Sequence, residues 1–167
     1  MVTATCPRPG SAVGPGAGLR EVDAVYMGEF TPRLDEKGRL ILPAKYRGRF
    51  VDGVYLVKGQ EHCVEIRDPA SFEAKAAEVN AHGATHAVAR AYQRTFFSSA
   101  YDETPDRQGR VTVPPPLREY AGLERDVVVV GVGDRLEMWH PTAWAEYQQR
   151  SEDEYAGLDG EVVPAAP

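Results

Sequence analysis

Arginine side chains that recur with an aspartate at one fixed spacing have the clearest chemical potential in this sequence. Arg39 follows Asp35 by four positions, and Arg110 follows Asp106 in the same way later in the chain. A guanidinium carries five N–H donors and no acceptor, so it needs water or an anion to satisfy them. The spacing therefore predicts two arginines available for anion binding, each at the beginning of a strand.

The residues around each arginine predict the elements that must position it: a tight turn, a short strand and the beginning of a helix. An aspartate accepts hydrogen bonds from backbone N–H groups of its own turn, and a glycine supplies the positive φ that closes the turn. Pro43 and Pro114 suit the first position of a helix, where a missing N–H costs nothing. A further arginine follows each proline, at Arg47 and Arg118. We assign loop-shaping roles to Asp35, Gly38, Asp106, Gly109 and Arg110.

The repetition extends beyond the turns and indicates two copies of one supersecondary unit. The β-prone residues 54–57 match residues 127–130, and a second strand is expected in each copy, over 63–67 and 135–139. A proline then opens a helix that carries an aromatic residue three positions on. Each copy is therefore predicted to form a turn, a strand, a short helix, a β-hairpin and a helix.

Composition divides the chain into segments around these copies. A stretch rich in Gly, Pro, Ala and Ser at the N-terminus is expected to be disordered. The last helix is expected to end near Arg150, and the chain to be disordered beyond Gly157. The predicted segments are an N-terminal extension (1–25), the first copy (28–73), a helical linker (74–100), the second copy (101–145) and a helix end with a tail (146–167).

Apolar residues at helical spacing in and beside the linker predict interaction surfaces. Phe72 with Val79, and Tyr92 with Phe96, lie on helical stripes that Gly83 is expected to divide between two helices. We expect the β-structure to leave these faces uncovered. Exposed apolar patches of that size tend to be interfaces, so a homo-oligomer is predicted.

Overall composition is that of an ordinary soluble chain with a net charge of −6 over 167 residues. No apolar run reaches membrane-spanning length, and we expect a cytoplasmic protein without a membrane segment. Cys6 and Cys63 lie in unrelated contexts, which argues against a disulfide framework and favours a reducing compartment. Replacement of both by serine is predicted to leave function intact.

Residue patterns for catalysis or metal binding are weak. His82 and His86 are four apart, as metal ligands on one helix face can be, but no third ligand is evident, so solvated surface histidines are the better interpretation. His62 adjoins Cys63, although Cys–His catalysis requires a spatial pairing that sequence does not show. No serine elbow, phosphate loop or dinucleotide fingerprint is present. We predict no catalytic residue, metal or cofactor and hence no enzyme; a small hydrolase ranks third among the functions considered.

Charge is distributed unevenly despite the acidic total. Residues 33–49 contain six basic and two acidic side chains, a local charge of +4, whereas residues 102–119 contain three basic and four acidic ones, a local charge of −1. A basic stretch on a β-turn is a plausible electrostatic footprint for double-stranded DNA, although a solvated charged face explains the composition equally well. The candidate DNA-binding residues are Arg33, Lys37, Arg39, Lys45 and Arg47.

The doubled motif resembles the MraZ family of bacterial transcriptional regulators over about residues 26–150. The matching segments include Met27-Gly28-Glu29-Phe30, the stretches 34–40 and 43–47, and Trp144 after the segment 137–139. The resemblance implies a mainly β fold with flanking α-helices, in which two SpoVT/AbrB-type repeats form a swapped-hairpin, double-split β-barrel. It also places Lys37 and Arg39 on the family's DNA-binding loop.

The resemblance implies a function as well as a fold. We expect a sequence-specific DNA-binding regulator that represses its own division and cell-wall operon, binds tandem promoter repeats as a ring-like homo-oligomer and associates with the nucleoid. The alternative is a ring-forming structural protein that does not bind DNA. Because of the charge difference, we predict that Arg39 in the first copy reads DNA, whereas Arg110 pairs with local carboxylates.

Overall fold

The structure, a computed structural model, describes residues 25–82 and 86–158. The expected disorder of residues 1–24 and of the last nine residues falls outside these ranges. So does Gly83, the residue expected to separate two helices. The statements that follow concern the described residues.

Eight strands and four α-helices make up the described residues, together with two 3-10 helices, Ala44–Phe50 and Gln60–His62. The strands are β1 (Tyr26–Phe30), β2 (Arg39–Ile41), β3 (Val54–Lys58), β4 (Val64–Arg67), β5 (Tyr101–Glu103), β6 (Arg110–Thr112), β7 (Val128–Gly133) and β8 (Leu136–Trp139). The helices are α1 (Pro69–His82), α2 (Ala87–Ser98), α3 (Pro115–Tyr120) and α4 (Pro141–Ala156).

The strands show that the two copies exchange elements. A six-stranded sheet has the order β1-β7-β8-β4-β3-β5, so that β1 of the first copy pairs with the hairpin of the second, and β5 of the second with the hairpin of the first. The remaining strands, β2 and β6, pair with each other as a separate antiparallel ribbon. The predicted fold class is confirmed: mainly β, with flanking helices and two interlocked repeats.

The main core lies between the ribbon and the six-stranded sheet. The ribbon contributes Leu40 and Val111, and the segments just after it contribute Leu42 and Val113, all at most 1% exposed. Burying such a side chain stabilises the fold by about 1.5–3 kcal/mol relative to exposing it. The inner face of the ribbon is therefore fixed by its packing on the core. The large sheet contributes Val54, Leu56, Val64, Ile66, Val129, Leu136 and Met138.

The helices cover further apolar groups, and one prediction about them is wrong. Val79 and Phe96 are buried with Val57 of β3, and the rings of Phe72 and Tyr92 pack against them. The helical faces expected to be uncovered are thus closed within one chain, because α1 and α2 pack on each other and on the sheet. Their apolar character carries no inference about assembly.

Helix α4 is longer than predicted. Its first half packs Trp144 and Tyr147 on Trp139 of β8. The helix continues past Arg150 to Ala156 because no glycine or proline intervenes and Glu152, Glu154 and Ala156 favour a helix, and Gly157 ends it. The residues of its last two turns, 150–156, are exposed apart from the partly buried Ser151.

Two details differ around the prolines. Pro43 and Pro114 precede their helices as N-cap residues, with extended backbone, rather than filling the first helical position. Pro115 and Pro116 fill the first positions of α3 instead, where no N–H is needed. The equivalent segment of the first copy is the 3-10 helix, so the two short helices are similar in place but not in type.

Candidate nucleic-acid interface

Turn 1 (residues 35–39) is closed by its aspartate. Asp35 Oδ1 accepts hydrogen bonds from the backbone N–H groups of Lys37 at 2.9 Å and Arg39 at 3.0 Å. Asp35 Oδ2 accepts a hydrogen bond from Arg39 Nε at 2.7 Å and lies 2.6 Å from Arg39 Nη2. Gly38 has φ +71°, which a residue with a Cβ adopts only under strain. The carboxylate thus fixes both the turn and the arginine.

Turn 2 (residues 106–110) repeats this arrangement. Asp106 Oδ1 accepts from the N–H groups of Gln108 and Arg110 at 2.9 and 3.0 Å, and Asp106 Oδ2 accepts from Arg110 Nε at 2.8 Å. Gly109 has φ +74°. The two turns are therefore equivalent in backbone and in their aspartate–arginine pair, as the repeated spacing predicts.

The ribbon joins the two turns through one outward face. Arg39 lies opposite Thr112, and Ile41 lies opposite Arg110, in the β2–β6 register. Side chains alternate across a strand, so these four share the face opposite the buried Leu40 and Val111. Both arginine side chains are partly exposed, 26% for Arg39 and 30% for Arg110. We call this face, with the tips of the two turns, the ribbon surface.

The arginines on the ribbon surface are held in place but keep donors available. Arg39 gives Nε and one side of Nη2 to Asp35, and its Nη1 lies 3.9 Å from Asp106 Oδ2, beyond hydrogen-bond distance. Within the described residues, the Nη1–Nη2 edge thus makes no hydrogen bond beyond the contact with Asp35, although Nη1 is within ion-pair range of Asp106. A guanidinium edge of this kind is suited to bidentate contacts.

Electrostatics of the turns agree with the geometry. The Arg39 side chain donates to Asp35 and, with the N–H groups of Arg39 and Lys37, lowers the pKa of that carboxyl from 3.8 to about 2. The pKa of Asp106 is also lowered, first by the backbone N–H of Arg110 and then by its side chain. Both carboxylates are therefore ionised at neutral pH and keep their arginines in position.

Lys37 and Arg47, two of the five candidate DNA-binding residues, are exposed near the ribbon. Lys37 stands at the tip of turn 1, where its ammonium has no ion pair among the described residues. Arg47 Nε donates to the carbonyl of Leu42 at 3.1 Å, and its side chain packs against Gly109 of turn 2. Lys37 is thus an available point charge, whereas Arg47 is partly committed to the opposite turn.

The remaining cations of the first window are dispersed. Arg33 pairs with Asp126 at 2.8 Å on the surface. Lys45 Nζ donates to the carbonyl of Met27 at 3.0 Å and lies over an aromatic ring of the 3-10 helix. Arg49, which the charge count includes, lies 2.9 Å from Asp68. The local charge of +4 along the chain is therefore not a single patch at turn 1.

The charge at the two turn tips differs from the charge of the two windows. Once each aspartate–arginine pair is set aside, turn 1 presents Glu36 and Lys37, whereas turn 2 presents Arg107 and Gln108. All four side chains are exposed. Turn 2 is thus not acidic at its tip. The predicted difference in DNA binding between the two turns therefore does not follow from the net charge of their tips.

Ile41, Thr112 and Arg118 belong to this region but were not among the candidate site residues. Ile41 is 43% exposed on the ribbon surface, and alternation along β2 could have shown its orientation. Arg118 packs against Gly38 of turn 1. Its spacing was visible as the counterpart of Arg47, but spacing within a copy does not show a contact between copies.

Other candidate sites are less developed. His62 Nδ1 lies 3.2 Å from the carbonyl oxygen of Tyr120, while Cys63 is a buried free thiol whose pKa is raised by burial. The side chain of His82 falls outside the description, and His86 is exposed. Within residues 25–82 and 86–158, no group of three or more metal-ligating side chains is assembled. No helix in that part of the chain is both long and apolar enough to cross a membrane.

Fold and site together define a class: a two-repeat protein whose copies exchange strands and display paired, aspartate-held arginines on a β-ribbon. The sequence model of the MraZ protein family, which is also described as antitoxin-like, matches residues 25–95 and 96–158. The chain belongs to the MraZ family.

Relatives in other bacteria support this membership. A protein of Salinispora tropica named Transcriptional regulator MraZ is 51% identical over 140 residues, which cover 84% of this chain and 99% of the relative. Proteins of the same name from Salinispora arenicola and Leifsonia xyli are 49% and 46% identical over the same length, covering 99% and 98% of those chains. The similarity thus spans both copies of the repeat.

Proposed function

We propose that this protein is a DNA-binding transcriptional regulator. The observation that carries the proposal is the ribbon surface, where two arginines with available guanidinium edges are held by their own aspartates. The relatives that share most of the chain bear the name Transcriptional regulator MraZ. A two-stranded β-ribbon fits the major groove of B-form DNA, in which every base pair is distinguishable.

Arg39 and Lys37 carry the proposed contacts. The Nη1–Nη2 edge of Arg39 is suited to guanine O6 and N7, the commonest specific arginine contact, or to a phosphate. Asp35 has already restricted this side chain, so little rotamer freedom is lost on binding. Lys37 approaches a phosphate as a point charge. Together they supply one base contact and one backbone contact at turn 1.

The other candidate residues take lesser roles. The ion pair of Arg33 with Asp126 is exposed, and such pairs contribute little stability, so Arg33 can exchange its carboxylate for a phosphate. Lys45 is tied to the backbone of β1 and contributes charge at longer range. Arg47 is exposed beside turn 2, where its guanidinium can add to the positive potential.

Assembly explains how an acidic chain binds DNA. One short ribbon offers few base contacts, so a single subunit binds weakly. A ring-like homo-oligomer on tandem promoter repeats gains affinity by effective concentration, about 10²–10⁴-fold. We propose such a nucleoid-associated, cytoplasmic oligomer, acting as a repressor of its own division and cell-wall operon.

Fluorescence anisotropy with the DNA upstream of the protein's own gene tests the proposal. The expected result is saturable binding that weakens steeply with salt and is lost on a shuffled duplex of equal composition. A ring-forming protein without DNA function is the alternative. No affinity for either duplex while the oligomer stays intact would establish that alternative, and equal affinity for both would contradict sequence-specific binding.

A further inference from the structure

Turn 1 contacts an arginine that belongs to the other copy of the repeat. A Cβ built on Gly38 would lie 2.9 Å from Cζ, 3.0 Å from Nε and 3.2 Å from Nη1 of Arg118. Because three atoms of one planar group lie at similar distances, the guanidinium lies flat against the glycine. A Cβ at that position of turn 1 would displace the Arg118 guanidinium.

Turn 2 shows the same contact in the opposite direction. A Cβ built on Gly109 would lie 2.7 Å from both Cδ and Nε of Arg47. Arg47 belongs to the first copy, and Gly109 to the second. The arginines that recur at one spacing thus each cross to the turn of the other copy and cover its glycine.

Hydrogen bonds connect each arginine to the turn that it covers. The carbonyl of Gly38 accepts from Val113 N at 2.9 Å, and the carbonyl of Val113 accepts from Arg118 Nε at 3.1 Å. Val113 itself is fully buried, which fixes the position of this connection. The backbone of Val113 therefore bonds both to Gly38 and to the Arg118 side chain, and it links the arginine to the turn.

Turn 2 has matching hydrogen bonds. The carbonyl of Gly109 accepts from Leu42 N at 2.9 Å, and the carbonyl of Leu42 accepts from Arg47 Nε at 3.1 Å. Leu42 is 1% exposed. At both turns, a buried residue just after one ribbon strand hydrogen-bonds through its N–H to the turn of the other copy. Through its carbonyl, the same residue accepts a bond from the arginine that covers that turn.

We propose that the turns are braced crosswise: Arg118 positions turn 1, and Arg47 positions turn 2. Both are positioning residues with respect to the turn that they cover, and Arg47 in addition contributes positive charge beside turn 2. Their effect on DNA rests on the proposed function, because turn 1 carries Lys37 and Arg39. Arg118, from the copy with the acidic window, thereby supports the proposed reading turn, whereas Arg47 supports the other one.

Hydrogen–deuterium exchange of the full chain tests the bracing without DNA. In Arg118→Ala, we expect the amides of residues 37–39 to exchange about tenfold faster while those of 108–110 stay unchanged. Arg47→Ala is the matched control, with the opposite expectation. If each substitution loosens only the turn of its own copy, or neither turn, the proposal is overturned. Circular dichroism checks folding, and Arg118→Gln replaces the alanine variant if that variant does not fold.

Salt-dependent DNA binding then separates positioning from direct contact. We expect Arg118→Ala to lower the affinity for DNA about tenfold, a larger loss than in Arg47→Ala. The slope of log affinity against log salt concentration should stay unchanged in Arg118→Ala. Lys37→Ala, which removes a phosphate contact, should reduce the slope by about 0.9. A slope reduced by that amount in Arg118→Ala, with exchange at turn 1 unaltered, would make Arg118 a direct contact and refute the bracing. If the wild type does not bind the DNA, the proposed function fails, while the exchange result decides the bracing independently.

Discussion

At the scale of single residues, the state of Asp35 determines what Arg39 can do. The ionised carboxylate accepts two backbone N–H bonds and holds one side of the guanidinium. The residue that binds its own arginine thus prepares that arginine for a ligand. The same pair occurs at Asp106 and Arg110, so preparation alone does not distinguish the turns.

The titration of Asp35 gives a direct prediction. Its pKa is lowered from 3.8 to about 2, so the stabilisation from this carboxylate is complete above 3.8 and is lost as pH falls through about 2. We expect carbon-13 NMR of labelled aspartate to show Asp35 still ionised at pH 3. In Arg39→Ala its pKa should rise toward 3.8, because the main cause of the shift is removed. Titration near 3.8 in the wild type would contradict the geometry of turn 1.

At the scale of elements, the exchange of strands depends on a close approach between β1 and β7. Gly131 lies opposite Gly28 in this pair, and a Cβ on Gly131 would overlap the backbone of Tyr26 and Met27. This pairing is one of the two that insert a strand of one copy into the sheet of the other. Its loss would therefore weaken the connection between the copies.

Replacing Gly131 by alanine should be severely destabilising. We expect the free energy of unfolding to fall by about 1–3 kcal/mol, because the backbone of β1 must move to admit the methyl group. Gly48→Ala is the control, since a Cβ there meets no atom within 4 Å. Urea unfolding followed by circular dichroism measures both. Equal losses in the two variants would show that β1 does not approach β7 as described.

At the scale of the whole molecule, charge on two helices suits contact between subunits. Arg90 and Arg94 are exposed one turn apart on α2, and the exposed end of α4 carries Glu152, Asp153 and Glu154. Opposite charges on two helices of one chain favour head-to-tail contacts, which close into a ring when the rotation permits. We propose this contact, in place of the apolar helix faces, for the oligomer of the proposed function.

A charge-swap experiment tests this basis. Arg90→Glu with Arg94→Glu should dissociate the oligomer, and so should Glu152→Arg with Glu154→Arg, since like charges then face each other. The combination of all four changes should restore assembly. Light scattering after size exclusion measures the mass of each variant. A monomeric wild type, or failure of the combined variant to reassemble, would contradict the proposed contact.

The sequence allowed prediction of the features that repeat locally. The turns, the ribbon strands and the paired hairpins follow from glycine, proline and β-branched residues at matching positions, and the structure contains them. Contacts between distant residues were not predictable in the same way. The first window has a charge of +4 along the chain, but Arg33 and Arg49 pair with Asp126 and Asp68, which lie outside that window in sequence.

The same limit applies to the site. The spacing revealed Arg47 and Arg118 as equivalents, yet which turn each one covers is decided by the pairing of β2 with β6. The burial of the helix faces was not predictable for a related reason. Phe96 packs with Val57 of β3, which lies nearly 40 residues earlier in the chain. Periodicity identifies a buried face but does not identify what buries it.

We propose that the ribbon surface binds DNA through turn 1, and paired substitutions of its two arginines separate the contribution of turn 1 from that of turn 2. Arg39→Ala and Arg110→Ala each remove an Nε–H bond to the aspartate of the same turn, so they should lower stability by similar amounts. We expect only Arg39→Ala to nearly abolish binding in a gel shift with the protein's own upstream DNA, because the loss of about 1–3 kcal/mol per subunit is multiplied across the oligomer. Size exclusion confirms that assembly is unchanged. Loss of DNA binding in Arg110→Ala, with Arg39→Ala still binding and both variants folded and assembled, would contradict the claim.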